Sequence, residues 1–294
     1  MAAPFHTLRY YLADHPSVVG FRWSHAGTWG STWSFLFTSL AAYIFSAVAL
    51  HHLLRLVSPT RRRTGIPLCP IPAAYSLCMA ALSFTIFLGT VLSAAAEIRE
   101  TRWLWRRWRT TAFEWLLCFP VGTRPSGRVF FWSYVYYLSR FIHALRPFIG
   151  ILRRRRLSSG SLLSHSAVIF TAFLWLEFSQ SFQVVDILTA TLVCAVAYGY
   201  RFWTAAGLPG ASFPVVVNCQ IILLSCNVVC HVGVLPLHFI KGGGCNGIGA
   251  WIFNSFLNVA ILYLFVNFYV KIYLRKRNDA GVGAGKCTEK VKDT

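Results

Sequence analysis

Apolar stretches long enough to cross hydrocarbon alternate with short polar or basic connections along most of this chain. Their spacing predicts seven helices, at about 33–54, 73–96, 129–152, 162–178, 182–203, 213–237 and 250–273. Pro59, Pro67, Pro70 and Pro72 interrupt any helix between the first two. Residues 1–32 are mixed and aromatic, without the short apolar core of a signal peptide, and are expected to lie at the membrane interface. The longest connection, 97–128, carries the run TRWLWRRWR, a texture that suits an amphipathic helix in the headgroup layer. The expected organisation is thus an interfacial segment 1–32, a membrane domain 33–273 and a polar tail 274–294.

Composition agrees with that pattern. The chain is 56% hydrophobic and only 13% charged, against about 25% charged in soluble domains, and its mean hydropathy is +0.54. An all-α, polytopic integral membrane protein follows. The formal charge of +19 would suggest nucleic acid in a soluble protein. Here the basic residues flank apolar spans, so membrane orientation and anionic lipid explain them and no nucleic-acid partner is expected.

Chemistry concentrates between Val129 and Phe178. Arg153, Arg154, Arg155 and Arg156 join the third and fourth spans and read as a tight cytosolic loop. Arg140, His143 and Arg146 lie at i, i+3 and i+6 in the third span, on roughly one side of a helix. Ionisable groups inside a span face a bundle interior far more often than lipid. A bound anion, Glu177 or Asp186 would compensate their charge. With the C-terminus cytosolic, more Lys and Arg fall on the cytosolic side than opposite. Lys290 and Lys292 have the spacing of a dilysine retrieval signal for the endoplasmic reticulum, and read equally as a solvated basic tail.

Phe130-Phe131-Trp132-Ser133-Tyr134, then Tyr137-Leu138-Ser139-Arg140 and Leu152-Arg153-Arg154, resemble the third-span signature of the ELO family of very-long-chain fatty acid elongases, in its plant-type branch. In that register the family's histidine box falls on Ser161 to His165, its tyrosine motif on Ala197-Tyr198-Gly199-Tyr200, and its glutamine motif on Gln220. The resemblance implies a helical bundle enclosing an acyl tunnel and condensation of malonyl-CoA with a long-chain acyl-CoA to a 3-oxoacyl-CoA. It further implies an endoplasmic reticulum location, no cofactor and no metal beyond the two substrates. Other enzymes of the elongation cycle are the implied partners, together with membrane lipid and a further copy of the chain.

The departures bear directly on chemistry. Where the family has K-x-x-E-x-x-D-T, this chain has Arg140, His143, Arg146 and Pro147; where it has H-x-x-H-H, Ser161, Ser164 and His165 stand. Cys194 replaces the family's fifth-span histidine. The catalytic set expected from this register is Cys194 as nucleophile, His165 as base, with Ser164 and Tyr198 as donors. Arg140, His143, Arg146, Tyr200 and Gln220 are expected to bind substrate. Cys194 and Tyr198 sit one turn apart, and a cation from Arg140 or Arg201 is needed beside a buried thiol. The other reading is a catalytically silent family member that binds acyl-CoA or assembles with active elongase components.

Two further groups of cysteines stand out. Cys118 and Cys245 fall in separate lumenal connections and are either bridged or two free thiols. Cys226, Cys230 and His231 have helical metal-ligand spacing without a fourth ligand, which fits core packing better.

Overall fold

The computed structural model describes residues 2–57, 70–108, 111–153, 157, 159–207, 213–240 and 243–260, with 262, 263, 266, 267 and 270. Among them the secondary structure is helical, apart from isolated antiparallel bridges between Arg22 and Ser126 and between Pro120 and Cys245. The chain divides into two compact units, Met1–Ala250 and Trp251–Thr294. The second is helical through residue 260. Everything below concerns the first.

Its helices are α1 (Ala2–Arg9), α2 (Pro16–Val19), α3 (Trp33–Val57), α4 (Pro70–Trp108), α5 (Ala112–Leu117), α6 (Arg128–His143), α7 (Arg146–Leu152), α8 (Ser159–Glu177), α9 (Gln183–Ala205) and α10 (Phe213–Ile240). A π-helical turn, Tyr10–Asp14, links α1 to α2. Among the described residues five segments are long and apolar enough to cross a membrane: Trp33–Val57, Ile71–Glu100, Ser159–Glu177, Gln183–Ala205 and Val216–Ile240. The expected third span differs. It is two helices, because Pro147 has no N–H to give the His143 carbonyl, and the chain turns at Ala144 and Leu145. The second span also differs, since α4 continues past residue 96 to Trp108 before the short helix α5. Arg154 to Arg156, Lys290 and Lys292 lie outside the described residues, as do the side chains of 101–110.

Helix α6 is the centre of the bundle. Val129, Trp132, Ser133, Tyr136, Tyr137, Arg140 and His143 recur at helical spacing and are buried, so one stripe is aromatic in the middle and cationic at both ends. Tyr136 stacks on Trp175 of α8 with ring centroids 5.6 Å apart, and Phe173 meets Trp33 of α3 edge to face at 4.8 Å. Against α4 the approach is closer still. A Cβ on Gly89 would meet the Trp132 ring at 2.1 Å, and Trp132 is held by donating to the Leu12 carbonyl at 2.8 Å. Gly89→Ala therefore forces the helices apart and is expected to cost about 1–3 kcal/mol.

At the N-terminal end of α6 the Arg128 guanidinium donates to the Ala13 carbonyl at 2.8 Å and to Glu100 at 2.6 Å, with Asp14 at 3.5 Å. This pins α4 and the N-terminal segment to α6. Cys118 and Cys245 form a disulfide across 127 residues of sequence. Beside it the Asn246 N–H donates to the Phe119 carbonyl, and the Ser181 hydroxyl receives the Phe119 N–H at 2.9 Å while donating to the Asn246 carbonyl. Three connections are thus tied at one end. Both cysteines are buried. They are expected to resist a membrane-impermeant alkylator until reduced, and replacing the pair with alanine is expected to cost about 2–5 kcal/mol of stability. Labelling without reduction would contradict the bridge.

Candidate active site

The opposite end of α6 carries the site. Because α7 has Pro147 at its second position, the His143 carbonyl is left without its helix donor, while the Ile142 carbonyl accepts from the Leu145 N–H at 3.1 Å. The Tyr75 hydroxyl of α4 turns towards both, at 3.1 and 3.4 Å. This contact brings α4 to the mouth of the bundle. Arg146, Arg153 and Arg201 there line a cavity of about 690 Å³, together with Tyr75, Ser76, Ser161, Tyr198 and Thr204. That size is typical of small-molecule sites. Among the described residues no Asp or Glu lines it, so its field favours an anion.

Behind it lies a second cavity of about 120 Å³, lined by Arg140, His143, Ser164, His165 and Val168. Besides the bond from Tyr75 to the His143 carbonyl, two hydrogen bonds of imidazole nitrogens cross between the linings of the two cavities. His143 Nδ1 lies 3.1 Å from the Tyr198 hydroxyl, and His165 Nδ1 lies 2.7 Å from the Ser161 carbonyl. The carbonyl only accepts, so His165 donates through Nδ1 and, as a neutral ring, keeps its Nε2 lone pair. His143 Nε2 is buried with no hydrogen-bond partner among the described residues. Leaving such a group unsatisfied costs about 1–3 kcal/mol.

Arg140 is buried, and no carboxylate of the described residues comes within 4.0 Å of it. Its guanidinium donates to the Ser139 hydroxyl at 3.1 and 3.2 Å and lies 4.1 Å from the centroid of the Tyr136 ring. It also reaches the Cys194 sulfur at 4.0 Å. A ring face contributes about 0.5–2 kcal/mol. Desolvating a guanidinium costs several kcal/mol. The remainder is best met by an anion entering the small cavity.

Glu177 and Asp186 do not compensate this charge, contrary to expectation. Glu177 accepts from Trp23 and contacts His25, each at 3.0 Å, at the far end of α8; Asp186 accepts from Asn227 at 2.7 Å, between α9 and α10. Of the residues singled out in the sequence, Arg140, His143, Ser164 and His165 share one cavity, and Cys194 touches it through Arg140. Arg146 and Tyr198 line the larger one; Tyr200 and Gln220 line neither. Sequence reasoning missed Tyr75 altogether. Arg201, seven residues after Cys194 and three after Tyr198, shares their face of α9, and its guanidinium lies 5.4 Å from the Tyr198 ring centroid. Among the described residues no three His, Cys, Asp or Glu side chains converge as metal ligands.

A basic cavity beside a pocket of imidazole and guanidinium, in a bundle of helices long and apolar enough to cross a membrane, defines an all-helical integral membrane protein with a cationic site at one end of α6. The chain belongs to the ELO family of fatty acid elongation: the family described as ELO: GNS1/SUR4 family matches residues 28–281. It is 59% identical to the Arabidopsis thaliana protein "Fatty acid elongase 3-like" over 273 residues, 92% of this chain and 93% of the relative. To "Fatty acid elongase A" of Dictyostelium discoideum it is 28% identical over 209 residues, 69% of this chain and 71% of the relative. No solved structure matches the chain.

Proposed function

We propose that this chain itself condenses malonyl-CoA with a long-chain acyl-CoA, using Cys194 as the acyl carrier. The observation that supports this most is the juxtaposition of a carboxylate-free arginine vestibule with a small pocket holding Arg140, His143 and His165. Arg146, Arg153 and Arg201 receive the CoA phosphates, where charge-assisted bonds are strongest.

In the first half-reaction the Cys194 sulfur attacks the acyl carbonyl. A bond from that sulfur to the acyl carbon forms, the bond to the CoA sulfur breaks, and the thiol proton passes through His165 to the departing CoA. Arg140 stands 4.0 Å from the sulfur to meet negative charge that develops there. In the second, malonyl-CoA loses carbon dioxide and the electron pair of the broken C–C bond forms a thioester enolate. Its carbon attacks the acyl-cysteine, the acyl–sulfur bond breaks, and the Cys194 thiolate is protonated from water. A thioester keeps the acyl group activated, which a serine ester at this point would not do as well. Incubation with acyl-CoA alone is expected to release one free CoA per active site. No release beyond spontaneous hydrolysis would speak against the carrier role.

The silent-partner reading is favoured by one observation, the loss of the family's histidines at Ser164 and Cys194. It predicts acyl-CoA binding without CoA release.

The same reading includes residence in the endoplasmic reticulum with the C-terminus cytosolic, and assembly with other elongation-cycle enzymes. The arginine vestibule then opens to the cytosol, where CoA esters are found. A glycosylation acceptor appended to the C-terminus is expected to stay unmodified, and Lys290→Ser with Lys292→Ser to increase escape to later compartments. Glycosylation of the acceptor would reverse the orientation.

A further inference from the structure

The two imidazoles of the small cavity differ in what surrounds their ring nitrogens. His165 Nδ1 faces a carbonyl, the Ser161 oxygen, so its proton sits on Nδ1 and Nε2 is a base. His143 Nδ1 faces a hydroxyl, that of Tyr198. A phenol is a better donor than acceptor; the Tyr198 hydroxyl also meets Tyr75, and the imidazole nitrogen is the stronger acceptor of the two. Tyr198 therefore donates, and the His143 proton moves to Nε2. That Nε2–H is buried and has no hydrogen-bond partner among the described residues. Arg140, on the same face of α6, lines the same cavity.

Resting on the condensation reading above, we propose that His143 is a catalytic donor: its Nε2–H, with Arg140, binds the oxyanion that forms on the malonyl thioester as carbon dioxide leaves. The pair of histidines then divides the work. His165 removes the thiol proton of Cys194, and His143 holds enolate charge. Preorganised donors act where charge develops, in a site from which water is excluded, and so contribute far more than they would in water. A cavity of about 120 Å³ has room for a thioester carbonyl and a departing carboxylate. The groups facing His143 are Arg140 on α6, Arg146 on α7, His165 on α8 and Tyr198 on α9. Among the described residues none of them bonds its Nε2–H. The role also accounts for an imidazole where the family pattern carries a carboxylate, since a carboxylate ion cannot donate.

The donor role separates from a general acid–base role by substitution. Glutamine places an amide N–H close to where the histidine Nε2–H stands, but it cannot carry a proton back and forth. Wild type, His143→Gln, His143→Leu, His165→Gln and Tyr198→Phe are compared at equal folded amounts. Two readouts are taken: the acyl adduct formed from acyl-CoA alone, and labelled carbon dioxide released from carboxyl-labelled malonyl-CoA once the adduct is present.

Every His143 variant is expected to form the adduct. Leucine should lower decarboxylation about 10²- to 10³-fold while glutamine stays within about tenfold of wild type. His165→Gln should fail at the adduct. Tyr198→Phe keeps the fold with least disturbance and should slow decarboxylation about tenfold with adduct intact. Glutamine as inactive as leucine, or Tyr198→Phe indistinguishable from wild type, overturns the donor role while leaving condensation standing. Wild type that releases no carbon dioxide overturns condensation, and the donor role with it.

Discussion

Cys194→Ala is expected to abolish both the acyl adduct and 3-oxoacyl-CoA formation, leaving the protein folded and able to bind acyl-CoA. The sulfur lies 4.0 Å from the Arg140 guanidinium, in a part of the bundle where no carboxylate of the described residues neutralises that cation. Removing a covalent carrier removes the route itself, so a loss of at least about 10³-fold is expected, in line with other activated nucleophiles. Cysteine to alanine at a half-buried position takes away one sulfur atom and little packing. The loss is therefore chemical. Intact-mass and peptide spectra of the wild-type protein after incubation with acyl-CoA should place the acyl mass on Cys194. Cys194→His restores the family's residue and is expected to recover part of the condensation. Equal activity in wild type and Cys194→Ala would show that the acyl group is carried elsewhere.

The second large effect separates the two cavities. Arg140→Ala is expected to leave binding of free CoA unchanged and to weaken malonyl-CoA by about 10²-fold, because Arg140 lines only the small inner pocket. Arg146→Ala is expected to weaken free CoA, acyl-CoA and malonyl-CoA alike by about tenfold, or about 1.4 kcal/mol. Both follow from position. Equilibrium binding to the folded variants in detergent checks them, and identical losses for free CoA in both variants would contradict the division. Arg140→Ala also relieves the cost of an uncompensated buried cation, so its thermal stability should not fall in step with its affinity.

The sequence carried the helices well, because long apolar runs bounded by prolines and arginines leave few alternatives in hydrocarbon. It left the cation beside Cys194 open between Arg140 and Arg201, and the facing of α6 and α9 makes it Arg140. Other parts depended on facts that no local pattern holds. The third span was expected to run unbroken through Pro147, and nothing in sequence says that Tyr75, more than sixty residues earlier, reaches the carbonyls beside the break. Glu177 and Asp186 were credible partners for Arg140 by type. Their actual neighbours, Trp23 with His25 and Asn227, are set by how α8 and α9 rotate in the bundle. Tyr200 came from the register of the family's tyrosine motif, which does not tell that it lines neither cavity. The Cys118–Cys245 bridge was one of two open alternatives until the loops were seen to meet, with Asn246 and Ser181 beside it. The hydrogen bonds that give His143 and His165 different tautomers are the least legible of all, since each depends on the rotamers of several side chains.

The central claim is that a chain with Ser164 and Cys194 in place of the family's histidines still makes a carbon–carbon bond. Purified protein in lipid, supplied with acyl-CoA of several chain lengths and malonyl-CoA labelled at its methylene carbon, tests it most directly. Label in a 3-oxoacyl-CoA two carbons longer than the acyl donor, formed over many turnovers and absent from Cys194→Ala, is the predicted result. Tight acyl-CoA binding with no labelled product at any chain length would contradict it.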